Sequence, residues 1–568
     1  MNRHLSIGLL LTGLLAAPPV FAAPNDAKLN DERLIAAARD GIDGTVSALL
    51  AAHADVNARD DTGATALAWA VLRNNAGVAS RLLKAHANPN LADANGVTPL
   101  MLAIEGSSSD SVRQLLVAGA DPNLTRPDGE TPLMTAVRVG SSEIAGQLLA
   151  RKVQVNAYES QFHQTALMWA VGHPDIVRQL LAQGADKSVA TKVWKTVATN
   201  YTPVVSTIGN TGIPWNYDSE YEGASGGFTA LIFAAQKGDV ESAKLLLDAG
   251  ADVNQAAADG TTALLASLYR FLPNSAAQDR NQRGIFGGLR FAADFAMAKL
   301  LLDRGAKPNS SDRAGYTPLH GVVLSMLRFN GRGEIIIGFD GDKRNQPNAP
   351  PPQPPANEAD GLAMAKRLLD LGADPNAATR QTTPGPLGAV KVNPAPPGST
   401  PYHLAGKADS AKLAELMAAH GADANKLRKD GHTPLTIAIM SNDLPVVQAM
   451  AAHGANAKMI FSPSDKVADP VKSIAEIRGN ETALHIAAIS GADYVVPFLA
   501  AQGVPSDARN DHGETALDLA DAQERFRYGR AKEAAGNMDR KGTEIIRETQ
   551  TSEAFKKLLG KGKPVASN

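Results

Sequence analysis

GADPNLTRPDGETPLMTAV, residues 119–137, decides the fold, because GADVNQAAADGTTALLASL at 250–268 and GADANKLRKDGHTPLTIAI at 421–439 repeat its design. Each copy opens on Gly-Ala-Asp, passes through Asp-Gly to a Thr, and runs on into apolar residues. Taking the residue four after the opening Gly, or its replacement, as a marker gives Asn57, Asn90, Asn123, Asn156, Ser188, Asn254, Asn309, Asn376, Asn425, Lys458 and Asp507. Successive markers lie 33, 33, 33, 32, 66, 55, 67, 49, 33 and 49 residues apart. A single unit therefore recurs along most of the chain, and the longer steps carry insertions.

The residues of one unit spell out its local structure. In GVTPLMLAI, residues 96–104, Thr98 can cap a helix with its side-chain oxygen. Pro99 follows at the first helical position, where a missing N–H costs nothing. In DSVRQLLVAGADPN, residues 110–123, Val112, Leu115 and Leu116 share one face of a second helix, and Gly119 supplies the left-handed conformation that ends it. Asp93 to Gly96 makes a tight turn before the next Thr. A turn and two short helices are too small to bury an apolar face alone, so neighbouring units have to stack.

The 33-residue period, with its Thr-Pro-Leu-His and Gly-Ala-Asp marks, resembles the ankyrin repeat, and the resemblance runs from about residue 31 to 559. It implies an all-α ankyrin-repeat solenoid of about ten to eleven helix-turn-helix units with long insertions and terminal caps. It also implies that the rings of His320, His403 and His485 tie adjacent turns together by hydrogen bonds. The partner it implies is a protein, gripped by the first helices and by the turn tips. Those tips fall at Asp61, Asn95, Asp128, Glu130, Asp259, Thr261, Lys429 and His432. Trp69, Trp169 and Phe233 stand two residues past the repeat Leu, where a ring either fills a gap between layers or forms the edge of the binding groove.

Other stretches divide the chain. Arg3, an apolar run from Leu5 to Leu15 and small residues up to Ala22 make 1–22 a signal peptide, with a mature start near Ala23. The run is too short to span a bilayer. A short leader, 23–30, precedes capped repeats over 31–192. An insertion, 193–225, carries Trp194, Tyr201, Trp215, Tyr217 and Tyr221, including half of the chain's 4 tryptophans. Such a ring-rich loop is a favoured contact surface, or else a lid folded over neighbouring helices. Repeats resume over 226–381, interrupted between helices at 271–291 and by a proline-rich stretch at 329–359. A Pro/Gly-rich insertion, 382–398, is followed by repeats over 399–510 with an insertion at 462–479. A charged capping repeat, 511–561, and a tail, 562–568, complete the chain.

Composition narrows the function. With 56 Lys and Arg against 58 Asp and Glu, the chain has no basic excess to meet a phosphate backbone, which argues against nucleic acid. The absence of cysteine excludes disulfides and thiolate metal sites. GASGG, residues 223–227, matches the nucleophile-elbow pattern, but that pattern works only on a strand-to-helix turn above a parallel sheet, and here it opens a repeat. The histidines are spread one per layer and do not converge on one ion. Asp340-Gly341-Asp342 lacks the later oxygens of a calcium loop. These features point to a monomeric, non-enzymatic scaffold without cofactors, periplasmic or secreted, that binds a protein through its concave surface and a projecting aromatic loop. Two other readings follow from the same residues: a released effector that binds host proteins, and a carbohydrate or cell-wall module that stacks sugars on the loop's rings.

Overall fold

Most of the described repeats begin on a threonine whose side chain takes over a backbone donor that a helix leaves unsatisfied. Thr98 Oγ1 accepts from the Met101 N–H at 3.3 Å, and Thr131 Oγ1 from Met134 at 3.1 Å. Thr65, Thr229, Thr262, Thr400 and Thr433 do the same. The computed structural model of the chain describes residues 24–198, 221–273, 289–327, 358–380, 397–428, 430–461, 479–521 and 557. These fall into two units, Met1–Gln161 with Ala182–Ala185, and Phe162–Leu181 with Asp186–Asn568.

The first unit opens on the helices Pro24–Asp40 and Asp43–Ala51. Residues 24–30, read from the sequence as a leader, are the opening turns of the first of these. Three layers follow: Ala66–Leu72 with Ala76–Lys84, Pro99–Glu105 with Ser109–Val117, and Pro132–Arg138 with Ser142–Leu149. Leu34, Val46, Leu67, Leu82, Leu100, Ile104, Val112, Leu115, Leu133 and Leu148 are fully buried between them. His53 and His86, at φ 61° and 64°, adopt the left-handed conformation that Gly119 supplies elsewhere.

The second unit repeats the pattern from Ala166–Trp169 with Pro174–Ala182 to Ala483–Ser490 with Val496–Ala501. Three of its first helices carry the histidine. The Nδ1 atoms of His320, His403 and His485 accept from the N–H of Thr317, Thr400 and Thr482 at 3.2, 3.2 and 3.1 Å. That leaves Nε2 to donate, and it reaches the carbonyl oxygens of Ser399, His432 and Glu514 in the following layer at 3.2, 3.3 and 3.0 Å. Burial holds all three imidazoles below their usual range, His320 at about 4 and His403 at about 3, so they stay neutral.

The marker asparagines stitch layer to layer. Asn90 accepts from the Asp121 N–H and donates to the Gly119 carbonyl, and Asn123 and Asn425 repeat the bridge. Asn254, Asn309 and Asn376 do the same across the longer steps, reaching Gly305, Gly372 and Gly421.

The repeats are helical, but among the described residues two short antiparallel ribbons interrupt them: Trp194–Ala198 with Tyr221–Ser225, and Arg270–Pro273 with Leu289–Ala292. Each closes the base of an insertion, at 193–225 and 271–291. The proline tract and most of 511–561 lie outside the described residues. No described helix is long and apolar enough to cross a membrane.

Candidate partner-binding surface

In the second unit the turn tips of successive layers come together around Phe162, Thr191 and Phe228. The Thr191 N–H donates to the Phe228 carbonyl at 3.0 Å, its hydroxyl accepts from the Phe228 N–H at 3.0 Å, and the Gly227 N–H donates to the Thr191 carbonyl at 3.1 Å. On the other side, the Lys192 N–H donates to the Phe162 carbonyl at 2.8 Å. The chain then leaves the stack as the strand Trp194–Ala198.

This crossing accounts for Gly226 and Gly227 of GASGG. A Cβ on Gly226, at φ 97°, would lie 2.0 Å from the Lys192 carbonyl oxygen and 2.9 Å from the Trp194 ring. One on Gly227 would meet the Ala258 backbone nitrogen at 3.0 Å. Ser225 ends an antiparallel ribbon opposite Trp194. The glycines are there for close backbone passage rather than to form a strand-to-helix elbow.

At the root of the ribbon Trp194 leans on Phe162, with ring centroids 5.9 Å apart and planes at 57°. Trp194 is 38 % exposed, Phe162 39 % and the adjoining Val193 54 %. The two rings thus share one open patch, with the exposed Val193 next to Trp194 in the chain. Phe162 and Val193 are additions to the residues suggested by the sequence. A signal was present, since Phe162 stands 32 residues before Trp194, one repeat length, and so at the same tip one layer earlier.

The other aromatic candidates are held more tightly. Phe233 is half-buried against Phe228, at 6.0 Å between centroids. Trp169 is half-buried, and its indole N–H donates to Gln164 Oε1 at 2.7 Å. At the same helix position Ala266, Leu404, Ile437 and Ile486 are buried, so in this unit an open ring there is confined to the early layers. In the first unit the Trp69 indole donates to Asp60 Oδ2 at 2.7 Å, and the Arg39 guanidinium sits 5.8 Å from its centroid. Burial alone would raise the Asp60 carboxyl, but bonds from Thr62, Trp69 and Ala64 hold it below its usual range. Tyr221 pairs with Ala198 in the ribbon. Tyr201, Trp215 and Tyr217 lie outside the described residues, as does Lys429.

Asp61 and Asn95 are exposed at their turn tips in the first unit, beside Asp60 and Asp93, whose carboxylates are occupied within the turns. Glu130, Thr261 and His432, expected at open tips, are instead buried. The reason is clearest at Glu130. It accepts from the Thr135 hydroxyl at 3.0 Å and pairs with Arg126 at 3.3 Å and Arg138 at 3.1 Å, while Glu105 completes the quartet. Two acids and two bases satisfy one another, which leaves little charge for a ligand. Among the described residues no group of three or more His, Asp or Glu is placed to hold a metal ion.

A family model described as ankyrin repeats (3 copies) matches residues 34–126, 106–191 and 356–460, and one for the single ankyrin repeat matches 226–258. The matches together cover just over half of the chain. No curated protein matches it.

Proposed function

We propose, from the premise that this chain belongs to the ankyrin-repeat family, that it is an exported, non-enzymatic scaffold of the periplasm that binds a protein partner at Phe162, Val193 and Trp194. Ankyrin repeats generally mediate protein–protein interaction, and proteins built from them are typically scaffolds rather than enzymes. The observation that carries the choice of site is the open patch itself. Aromatic residues that are partly exposed on a rigid base anchor interfaces, because they bury a large area at small entropic cost. Here the base is a backbone crossing held by four hydrogen bonds.

Export rests on Arg3, the run from Leu5 to Leu15 and the small residues before Ala23. A chain without cysteine also suits an oxidising compartment, where no thiol can mispair. Two measurements test the proposal. Mass spectrometry of the protein recovered from cells should find an N-terminus near Ala23, and a sole species retaining Met1 in the cytoplasm contradicts export. A photo-crosslinking residue at Trp194 in intact cells should join the chain to one discrete protein, and the absence of any adduct contradicts the site.

A further inference from the structure

Among the described residues the strand Trp194–Ala198 has a single partner, Tyr221–Ser225, in a sheet of two strands. Such a ribbon has outer edges, each a row of backbone N–H and C=O groups turned away from the paired strand. The residues leading into it are held from both sides. Thr191 faces the returning chain through its bonds with Phe228 and Gly227, whereas the Lys192 N–H points the other way, to Phe162. Trp194–Ala198 pairs along its whole length with Tyr221–Ser225, and its other side is the ribbon's outer edge.

Among the described residues no third strand meets this edge. Its root carries the exposed Trp194, Val193 and Phe162. Its charges are Lys192 and Lys195, both exposed and without an ion pair among the described residues. The acid of the ribbon, Glu222, stands on the second strand, opposite Val197.

We propose that the partner binds this edge as an added strand. An extended, acidic segment of the partner protein pairs backbone to backbone with the outer edge of Trp194–Ala198, sets an apolar side chain against the Trp194 and Phe162 rings, and meets Lys192 and Lys195 with carboxylates. A helix would satisfy its own backbone and leave the edge unpaired, whereas an extended segment answers the edge, the rings and the lysines together. This rests on the scaffold reading above and adds the conformation and charge of what is bound.

The test uses the purified full chain and three labelled peptides read by fluorescence anisotropy: EVEFEVEF, its basic counterpart KVKFKVKF, and EVEFEVEF with alternate amides N-methylated. The acidic peptide should bind, and the basic and N-methylated ones should bind at least about tenfold more weakly. Lys192→Glu with Lys195→Glu should reverse the preference between acidic and basic peptides. Equal binding of the N-methylated peptide overturns strand pairing, and so does failure of all three peptides to bind. Dimerisation of the chain through this edge, or binding of a neutral oligosaccharide in place of the peptides, overturns it as well. The in-cell crosslink at Trp194 is independent of these results: an adduct alongside failed peptides removes the strand and keeps the scaffold, and no adduct removes the scaffold.

Discussion

The side-chain amide of Asn309 donates to the Gly372 carbonyl oxygen at 2.7 Å, and its oxygen accepts from the Asp374 N–H at 2.7 Å, across 63 and 65 residues of chain. Asn90 makes the same two bonds to Gly119 and Asp121 across only 29 and 31. The turn tips before and after the layer that carries residues 328–357 are therefore direct neighbours. A long intervening segment is tolerated because the entropy of closing a loop grows only slowly with its length.

Asn309→Ala should cost the second unit roughly 1 to 2 kcal/mol, since two partly exposed hydrogen bonds are lost. Hydrogen exchange gives a sharper check. The Asp374 amide should lose protection in Asn309→Ala and keep it in Asn309→Asp, which retains the acceptor oxygen but not the donor.

Acid should loosen the second unit through its buried histidines. Their folded values lie below the usual 6.5, at about 4 for His320 and about 3 for His403. Between those limits the unfolded chain takes up protons that the folded layers refuse. Stability is thus present in full above the usual value and is lost as pH falls toward the folded ones, by roughly 3 kcal/mol for His320 alone. Urea unfolding at pH 7 and pH 4.5 checks this, and His320→Gln, which keeps a donor and an acceptor, should flatten the dependence.

Asp312 works in the opposite direction. Burial, with Asp259 nearby, pushes its carboxyl up to about 7, although Oδ1 accepts from the Tyr316 N–H at 2.8 Å. The folded state holds a proton that the unfolded state releases near 3.8, so this contribution is full at low pH and lost as pH rises through about 7. Asp312→Asn preserves the accepting oxygen and should stabilise the chain by roughly 2 to 4 kcal/mol at pH 8, with little effect at pH 4. Equal melting shifts at both pH values would contradict this.

Trp69 separates layer filling from partner contact. Trp69→Phe keeps the ring under Arg39 and loses the bond to Asp60, for about 1 kcal/mol, and Trp69→Ala should cost about 3 kcal/mol. If the melting temperature is unchanged in Trp69→Ala, the ring is contact surface and not packing.

Much of this architecture was legible in the sequence because its causes are local. Thr98, Pro99 and Gly119 bound their helices by their own chemistry, and the Asn and His positions followed from the period. The ribbons were not, because W-K-T-V-A at 194–198 is too short to signal a strand and its partner lies more than twenty residues away. The site was only half legible. Trp194 stood out as a rare ring, but Phe162 becomes its neighbour only when two tips are superposed at repeat spacing. The same operation would have set Arg138 beside Glu105, 33 residues earlier, and shown why Glu130 is not an open tip.

The most direct test of the central claim, that the patch at the root of the first ribbon is where a partner protein is held, is site-specific photo-crosslinking in intact cells. The probe residue is placed in turn at Trp194, at Val193, and at two controls, Val117 and Ile460, which are 75 % and 59 % exposed elsewhere on the chain. The account predicts one and the same protein adduct at Trp194 and Val193, and none of that mass at Val117 or Ile460. Adducts of equal yield at all four positions, or none at Trp194 and Val193, would contradict it.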